Sequence, residues 1–460
     1  AWCALKGLEV TLQDREMKYI EPALKRAAGL FRKKLKKPTA VAAAKTRLRA
    51  DLEGEGVKRA DVVVEAIFEN REAKRELFEN LKDDLPDHAV VATNTSAIPL
   101  GELSDVFDDP NRLIGLHFFN PVPKMPLVEV VYDTNTDTDR VNDGSSFATQ
   151  IGKYALPVTS TPGFLVNRVL VPYMYKAMTL HRDGLPKEAL DKAAVQFGMP
   201  MGPVELVDTV GLDVGLGVID TLLGETAGED RKVLESMVES GKKGKKTGEG
   251  FYKWEKGKPV RDSEAHKGQD LEKIAADLLQ PYLDECLACL RDNVVENDEL
   301  LDAGMIFGTG FAPFRGGPMH YINNAGVEAS AENSLLDKAR KQGRTAKSSG
   351  AKSATKAETR ASETDTASTQ TSAKSDSSKP DARKSESRKA GAKKATKKSG
   401  AQKKATKKSA ATKKAGSSRK TARKKASTTS AATDRPAEQN ASDDNAAKAD
   451  SSQKDPGKSE

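Results

Sequence analysis

Residues 113–131 read LIGLHFFNPVPKMPLVEVV. Two short aliphatic segments, LIGL and LVEVV, flank a turn punctuated by Pro121, Pro123 and Pro126. Apolar runs of this length bounded by turn residues read as neighbouring strands. His117 follows the first segment and Glu129 lies inside the second, so pairing of the strands brings the two side chains together. An imidazole near its ordinary pKa, held in one tautomer by a carboxylate, suits removal of a proton from an alcohol at neutral pH. Against this stands a plainer reading, in which His117 is a hydrogen-bonded core residue among aromatics and Glu129 a solvated strand end.

The same texture extends upstream. AWCALKG, LEVTLQD, a basic amphipathic stretch over 18–37, ADVVVEAIFE, AVVATNTSAI, NRLIGLHFF and LVEVVYD alternate helical and strand signals over residues 1–157. Such alternation implies βαβ units and a parallel sheet, a Rossmann-type α/β domain. From Phe164 to about Asn323 the apolar period turns helical, apart from a short strand signal near 250–254. Two segments beginning at Val169 and Leu278 share Pro-Tyr, Arg-Asp, Phe-Gly and Gly-Pro in matching order, so the helical part is expected to be a duplicated unit. The expected domains are 1–157, 158–260, 261–345 and a tail over 346–460.

The tail decides how composition is read. It contains no Phe, Trp, Tyr, Leu, Ile, Val or Met, so it has nothing with which to build a core and is expected to be disordered. It carries about +16 of a whole-chain charge of +8, which leaves residues 1–345 acidic. The folded part therefore does not look like a nucleic-acid binder, whereas KKATKKSGAQKKATKKSAATKKAG has the Lys/Ala character of polyanion-binding tails. With only 3 cysteines there is no disulfide framework, which fits a reducing cytoplasm. Cys286 and Cys289 form a CxxC without a second pair, and in a helical pattern they read as buried residues rather than metal ligands. No segment has the roughly 18 apolar residues of a membrane span.

Other motifs point to a nucleotide site. Asp14 ends the strand-like LEVTLQD, where such folds place a carboxylate on the ribose hydroxyls of NAD. The glycine-rich turn that belongs upstream of it is expected to precede Ala1. Glu69, Asn94 and Ser96 follow strands at the edge where a parallel sheet opens onto its ligand, although each equally suits a helix cap. GKKGKKTGEGFYKW is no phosphate loop, because the spacing of Gly, Lys and Thr is wrong; a turn into an aromatic strand fits better.

In order and spacing, DVVVEAIFEN, TNTSAIPL, GLHFFNPVPKMPLVEVV, PGFLVNRVL, FGMPMGPVELVDTVGLD and GKKTGEGFYKW resemble the 3-hydroxyacyl-CoA dehydrogenase family over about residues 1–326. The second helical repeat makes the chain most similar to the dehydrogenase part of the multifunctional alpha subunit of bacterial fatty acid oxidation complexes. The resemblance implies NAD-dependent oxidation of a 3-hydroxyacyl-CoA. In it His117 is the base, Glu129 its orienting carboxylate, and Ser96 and Asn167 hold substrate oxygens. It further implies cofactor contacts at Asp14, Ile67, Phe68, Glu69, Lys74, Ser96 and Asn120, and a substrate contact at Phe307, where multifunctional relatives carry Tyr. An upstream enoyl-CoA hydratase domain, a thiolase partner subunit and an oligomer belong to the same expectation. A degenerate scaffold whose basic tail docks DNA is the competing reading; a short-chain or reductive 3-hydroxybutyryl-CoA enzyme is a third.

Overall fold

A computed structural model describes residues 1–342; the tail, 346–460, lies outside them. The helices are α1 (Trp2–Lys6), α2 (Met17–Lys34), α3 (Pro38–Arg47), α4 (Arg71–Leu81), α5 (Gly101–Ser104), α6 (Thr138–Gln150) and α7 (Val166–Arg182). They continue with α8 (Lys187–Phe197), α9 (Pro203–Val210), α10 (Leu212–Leu222), α11 (Gly228–Glu239), α12 (Leu271–Arg291), α13 (Asp298–Thr309) and α14 (Pro318–Ala325). The strands are β1 (Val10–Gln13), β2 (Leu48–Asp51), β3 (Val62–Glu65), β4 (Val90–Thr93), β5 (Leu113–Phe118), β6 (Leu127–Tyr132), β7 (Tyr154–Thr159), β8 (Trp254–Glu255) and β9 (Lys258–Pro259).

A five-stranded sheet ordered β3-β4-β5-β6-β7 forms the centre. Its pairs are parallel except β5–β6, which run antiparallel across the proline turn, so the sheet is mixed where the sequence reading expects a parallel one. β1 and β2 form a separate parallel pair, and among the described residues no strand joins the two sheets. Besides the two-residue β9, two strands escape the sequence reading. β2 is the short, charged LRAD, and β7 carries Pro157, which a strand tolerates at a sheet edge, where β7 lies.

The period of two along β5 and β6 sorts their side chains. Ile114, Leu116, Val128 and Val130 pack with Ala148 of α6 on one face. Leu113, Leu127 and Val131 point the other way, into the large core shared with Leu165, just before α7, and Val166 and Val169 of α7. His117 and Glu129 have the parity of this second set, so both face the helical domain.

In that domain α7 and α12 each contain an internal Pro-Tyr, and the rings of Tyr173 and Tyr282 meet edge to face at 6.0 Å. Asp191 of α8 accepts the N–H of Val204 at the start of α9. Asp302 of α13 accepts those of Met319 and His320 at the start of α14 in the same manner. A Cβ on Gly202 or Gly317 would stand 2.2 or 2.3 Å from the corresponding aspartate, so the glycine before each Gly-Pro helix start is required by close approach.

Candidate active site

β5 and β6 set His117 directly opposite Glu129. The His117 Nδ1–H donates to Glu129 Oε2 at 2.6 Å, with the glutamate fully buried and the histidine nearly so. Glu129 Oε1 in turn accepts the backbone N–H groups of Leu165 at 3.1 Å and Val166 at 2.9 Å. Those are orphan donors at the start of α7, whose dipole favours a negative charge at that end. Both carboxylate oxygens are thus engaged by hydrogen-bond donors. Nε2 of His117 has no partner among the described residues, which leaves it free for a substrate proton.

Two aromatic rings pack against the imidazole. Phe119 lies 4.5 Å and Phe164 5.6 Å from it, centroid to centroid. Phe164 has φ 51, in the left-handed region that non-glycine residues rarely occupy, and cost is justified there when it aims a side chain at a functional group.

A second group of residues lines the carboxyl ends of β3 and β4. Glu69 Oε1 accepts from Thr95 Oγ1 at 2.6 Å, the Ser96 N–H at 2.8 Å, Ser96 Oγ at 3.2 Å and the Ala97 N–H at 3.2 Å. Burial pushes the Glu69 carboxyl up, but these hydrogen bonds and the nearby Lys74 outweigh it and hold the group below the usual carboxylate range. Asn167, in the first turn of α7, donates Nδ2–H to the Ser96 carbonyl at 3.2 Å. Ser96, Asn167, Glu129 and His117 are therefore tied together through the start of one helix.

Two positions beside the site, Glu65 and Lys153, were not evident in the sequence, whereas Asn94 is legible there at the ligand edge of the sheet. Glu65, at the end of β3, is buried and accepts Lys74 Nζ at 2.8 and 2.9 Å, Thr93 Oγ1 and the Ile67 N–H. Asn94 Oδ1 accepts the Phe118 N–H at 2.9 Å, joining the β4 end to the residue after His117. Lys153 donates to the carbonyls of Val122 and Met125 in the proline turn, with the Trp2 ring 4.7 Å from its ammonium. Burial, with Lys6 nearby, lowers the Lys153 pKa.

The remaining expected residues are dispersed. Ile67 and Phe68 project from the loop after β3, Phe68 at 67% exposure. Lys74 is fully buried between Glu65 and Glu69, the latter at 3.4 Å, so it faces the glutamates and not the open side. Asn120, exposed, precedes a cis proline. Asp14 follows β1 on the smaller sheet, exposed, with its carboxylate on the Arg15 N–H. Phe307 of α13 stacks on Tyr154, at the start of β7, at 4.4 Å. Cys286 and Cys289 are buried within α12, where burial raises both thiols far from reactive values.

Residues 1–161 match the model of the 3-hydroxyacyl-CoA dehydrogenase NAD binding domain, and 163–254 that of the 3-hydroxyacyl-CoA dehydrogenase C-terminal domain. The solved (S)-3-hydroxybutyryl-CoA dehydrogenase from Ralstonia eutropha is 31% identical, with a TM-score of 0.51, over 55% of this chain and 93% of that one. The chain belongs to the 3-hydroxyacyl-CoA dehydrogenase family. Among curated relatives, the fatty acid oxidation complex subunit alpha of Shewanella baltica is 36% identical over 338 residues. That alignment covers 70% of this chain and 48% of the relative, so the chain spans about half the length of the curated relatives it matches. The fold is also that of the 3-hydroxybutyryl-CoA dehydrogenase from Escherichia coli, with a TM-score of 0.60, 23% identity and coverage of 70% of this chain and 88% of that one. In family terms the α/β part is the NAD-binding domain and the helical part the C-terminal domain. Among the described residues no helix is long and apolar enough to cross a membrane.

Proposed function

We propose that this chain oxidises (S)-3-hydroxyacyl-CoA to 3-ketoacyl-CoA with NAD as part of fatty acid β-oxidation. The observation that carries the reading is the His117–Glu129 pair, joined at 2.6 Å across one strand register, within a chain of the 3-hydroxyacyl-CoA dehydrogenase family.

The surface at the strand ends fits NAD. Ile67 and Phe68 present exposed apolar area beside the Glu69 network, a setting for a planar ring system that bare solvent does not reward. Asp14 offers an exposed carboxylate for ribose hydroxyls, and Lys74, through Glu65 and Glu69, fixes the loop carrying Ile67 and Phe68. Asn120 serves the nicotinamide side. NAD, when bound, accepts the hydride from C3 of the substrate.

The chain's own residues handle the proton. His117 Nε2 takes it from the 3-hydroxyl, and Glu129 stabilises the imidazolium that forms. Ser96 Oγ and Asn167 Nδ2 hold the substrate oxygens, with hydrogen bonds that strengthen as the 3-keto group develops. Phe307, stacked on Tyr154 at the same edge of the sheet, supplies an apolar contact to the acyl portion.

The matching Asp–helix-start contacts in α8–α9 and α13–α14 support a duplicated helical domain. The name and greater length of the Shewanella relative support a place for the chain in a fatty acid oxidation complex, and on the resemblance in sequence the proposal extends to upstream enoyl-CoA hydratase chemistry, a thiolase subunit and the cytoplasm. Mixing the purified chain with 3-hydroxyacyl-CoA and NAD and following reduced nicotinamide tests the activity; a folded, NAD-binding protein that forms no product would overturn the reading.

A further inference from the structure

A cavity of about 320 Å³ lies between α8, α12 and α14, lined by Ala193, Ala275, Leu279, Leu283, Tyr321 and Arg315 among others. Its volume is at the lower end of the roughly 300–1,000 Å³ of small-molecule sites. None of its lining residues belongs to the network around His117.

The arginine is the unusual member. Its guanidinium lies 4.1 Å from the Phe197 ring centroid, 5.1 Å from Tyr321 and 5.3 Å from Phe314, and Nε–H donates to the Phe197 carbonyl at 3.0 Å. Three rings and one carbonyl fix its plane, yet among the described residues it has no carboxylate partner. Its two terminal amino groups are therefore pre-oriented and unspent, a fork that matches a carboxylate. Beside that fork Ala275, Leu279 and Leu283 form an aliphatic strip, with Gln196 and Gln280 among the polar lining residues. The one acid in the lining, Glu272, is exposed, and it disfavours a ligand with more than one negative charge.

We propose that this cavity binds an aliphatic monocarboxylate, with the carboxylate on Arg315 and the chain along Ala275, Leu279 and Leu283. Phosphate makes a poorer fit, since a dianion would meet a single cation with Glu272 nearby. The site is separate from the dehydrogenase chemistry, so its occupancy is read by binding rather than by turnover.

The test is titration calorimetry of the full chain with octanoate, octanol and inorganic phosphate, repeated with Arg315→Met and Ala276→Phe. Ala276 lies on the exposed side of α12 and lines the cavity, so its variant fills part of the space from a position outside the buried core, and remains informative if Arg315→Met fails to fold. Saturable octanoate binding, weaker by about tenfold or more for octanol and for each variant, is expected, with substrate turnover in the absence of octanoate unchanged. Absence of saturable octanoate binding to the unmodified chain would overturn the proposal. So would undiminished binding by Ala276→Phe, or phosphate binding as tight as octanoate.

Discussion

Glu129 Oε1 accepts the Val166 N–H at 2.9 Å, so the carboxylate that holds His117 is itself held by the first turn of α7. The base is thereby coupled to the helical domain. Glu129→Gln separates the two duties. An amide that keeps its oxygen on the α7 N–H groups must turn its NH₂ toward His117, which makes Nδ1 an acceptor and places the imidazole proton on Nε2, the wrong tautomer for a base. We expect kcat to fall roughly 10²- to 10⁴-fold with little change in KM; a kcat within a few fold of the parent would remove Glu129 from the mechanism.

Gly308 of α13 packs against the same helix start. A Cβ there would stand 2.7 Å from Val166 Cγ2 and 2.9 Å from Leu127 Cδ2. Gly308→Ala gains about 1 kcal/mol of helix propensity, but overpacking costs about 1–3 kcal/mol. Urea denaturation is expected to show net destabilisation together with lowered kcat, because Val166 carries the hydrogen bond to Glu129. A stabilised variant of normal kcat would show that the contact relaxes freely.

Lys153 ties the proline turn after His117 to the body of the domain. Lys153→Met keeps the buried stem and removes the donors to Val122 and Met125. Loosening this turn displaces Phe119 and Asn120, and misplacement of a reacting group by about 1 Å costs up to ~10²-fold. A tenfold or greater loss of kcat, and faster proteolysis between Pro121 and Pro126, are the expected outcomes. Unchanged values of both would make Lys153 a bystander.

Asp191 gives the helical domain a pH dependence of its own. Burial pushes its carboxyl from the ordinary 3.8 up to about 6, against hydrogen bonds from Tyr252, Val204 and Glu205 and the nearby Arg261. A folded-state pKa above the unfolded one means that the native state binds the proton more tightly. Its contribution is then full below the unfolded value and is lost as pH rises through about 6. The urea midpoint should decline across that window in the parent and decline less in Asp191→Asn. Parallel pH profiles for the two proteins would refute this assignment.

The central β5–β6 pair was legible because its chemistry is local: a period of two, a proline turn and two polar residues of the same parity. The TNTS segment was likewise readable as a sheet-edge segment, and PGFLVNR as a family motif. Other parts depended on contacts that no window of sequence displays. Glu65 reads as one more residue of VVVEAI until Lys74, Thr93 and Ile67 converge on it. Lys153 in IGKYA has the look of a solvated loop lysine, and only the fold supplies two carbonyls and an indole. Lys74 is enclosed because α4 turns it inward between Glu65 at the end of β3 and Glu69 in the loop that follows. β7 was missed because Pro157 argues against a strand everywhere except at an edge.

Comparison of His117→Ala with the unmodified chain, by formation of reduced nicotinamide from (S)-3-hydroxybutyryl-CoA and from a long-chain 3-hydroxyacyl-CoA, tests the account most directly. A loss of roughly 10²- to 10⁴-fold in kcat, with retained fold and NAD affinity, is the predicted result. Near-normal turnover by the variant would contradict it and place the base elsewhere.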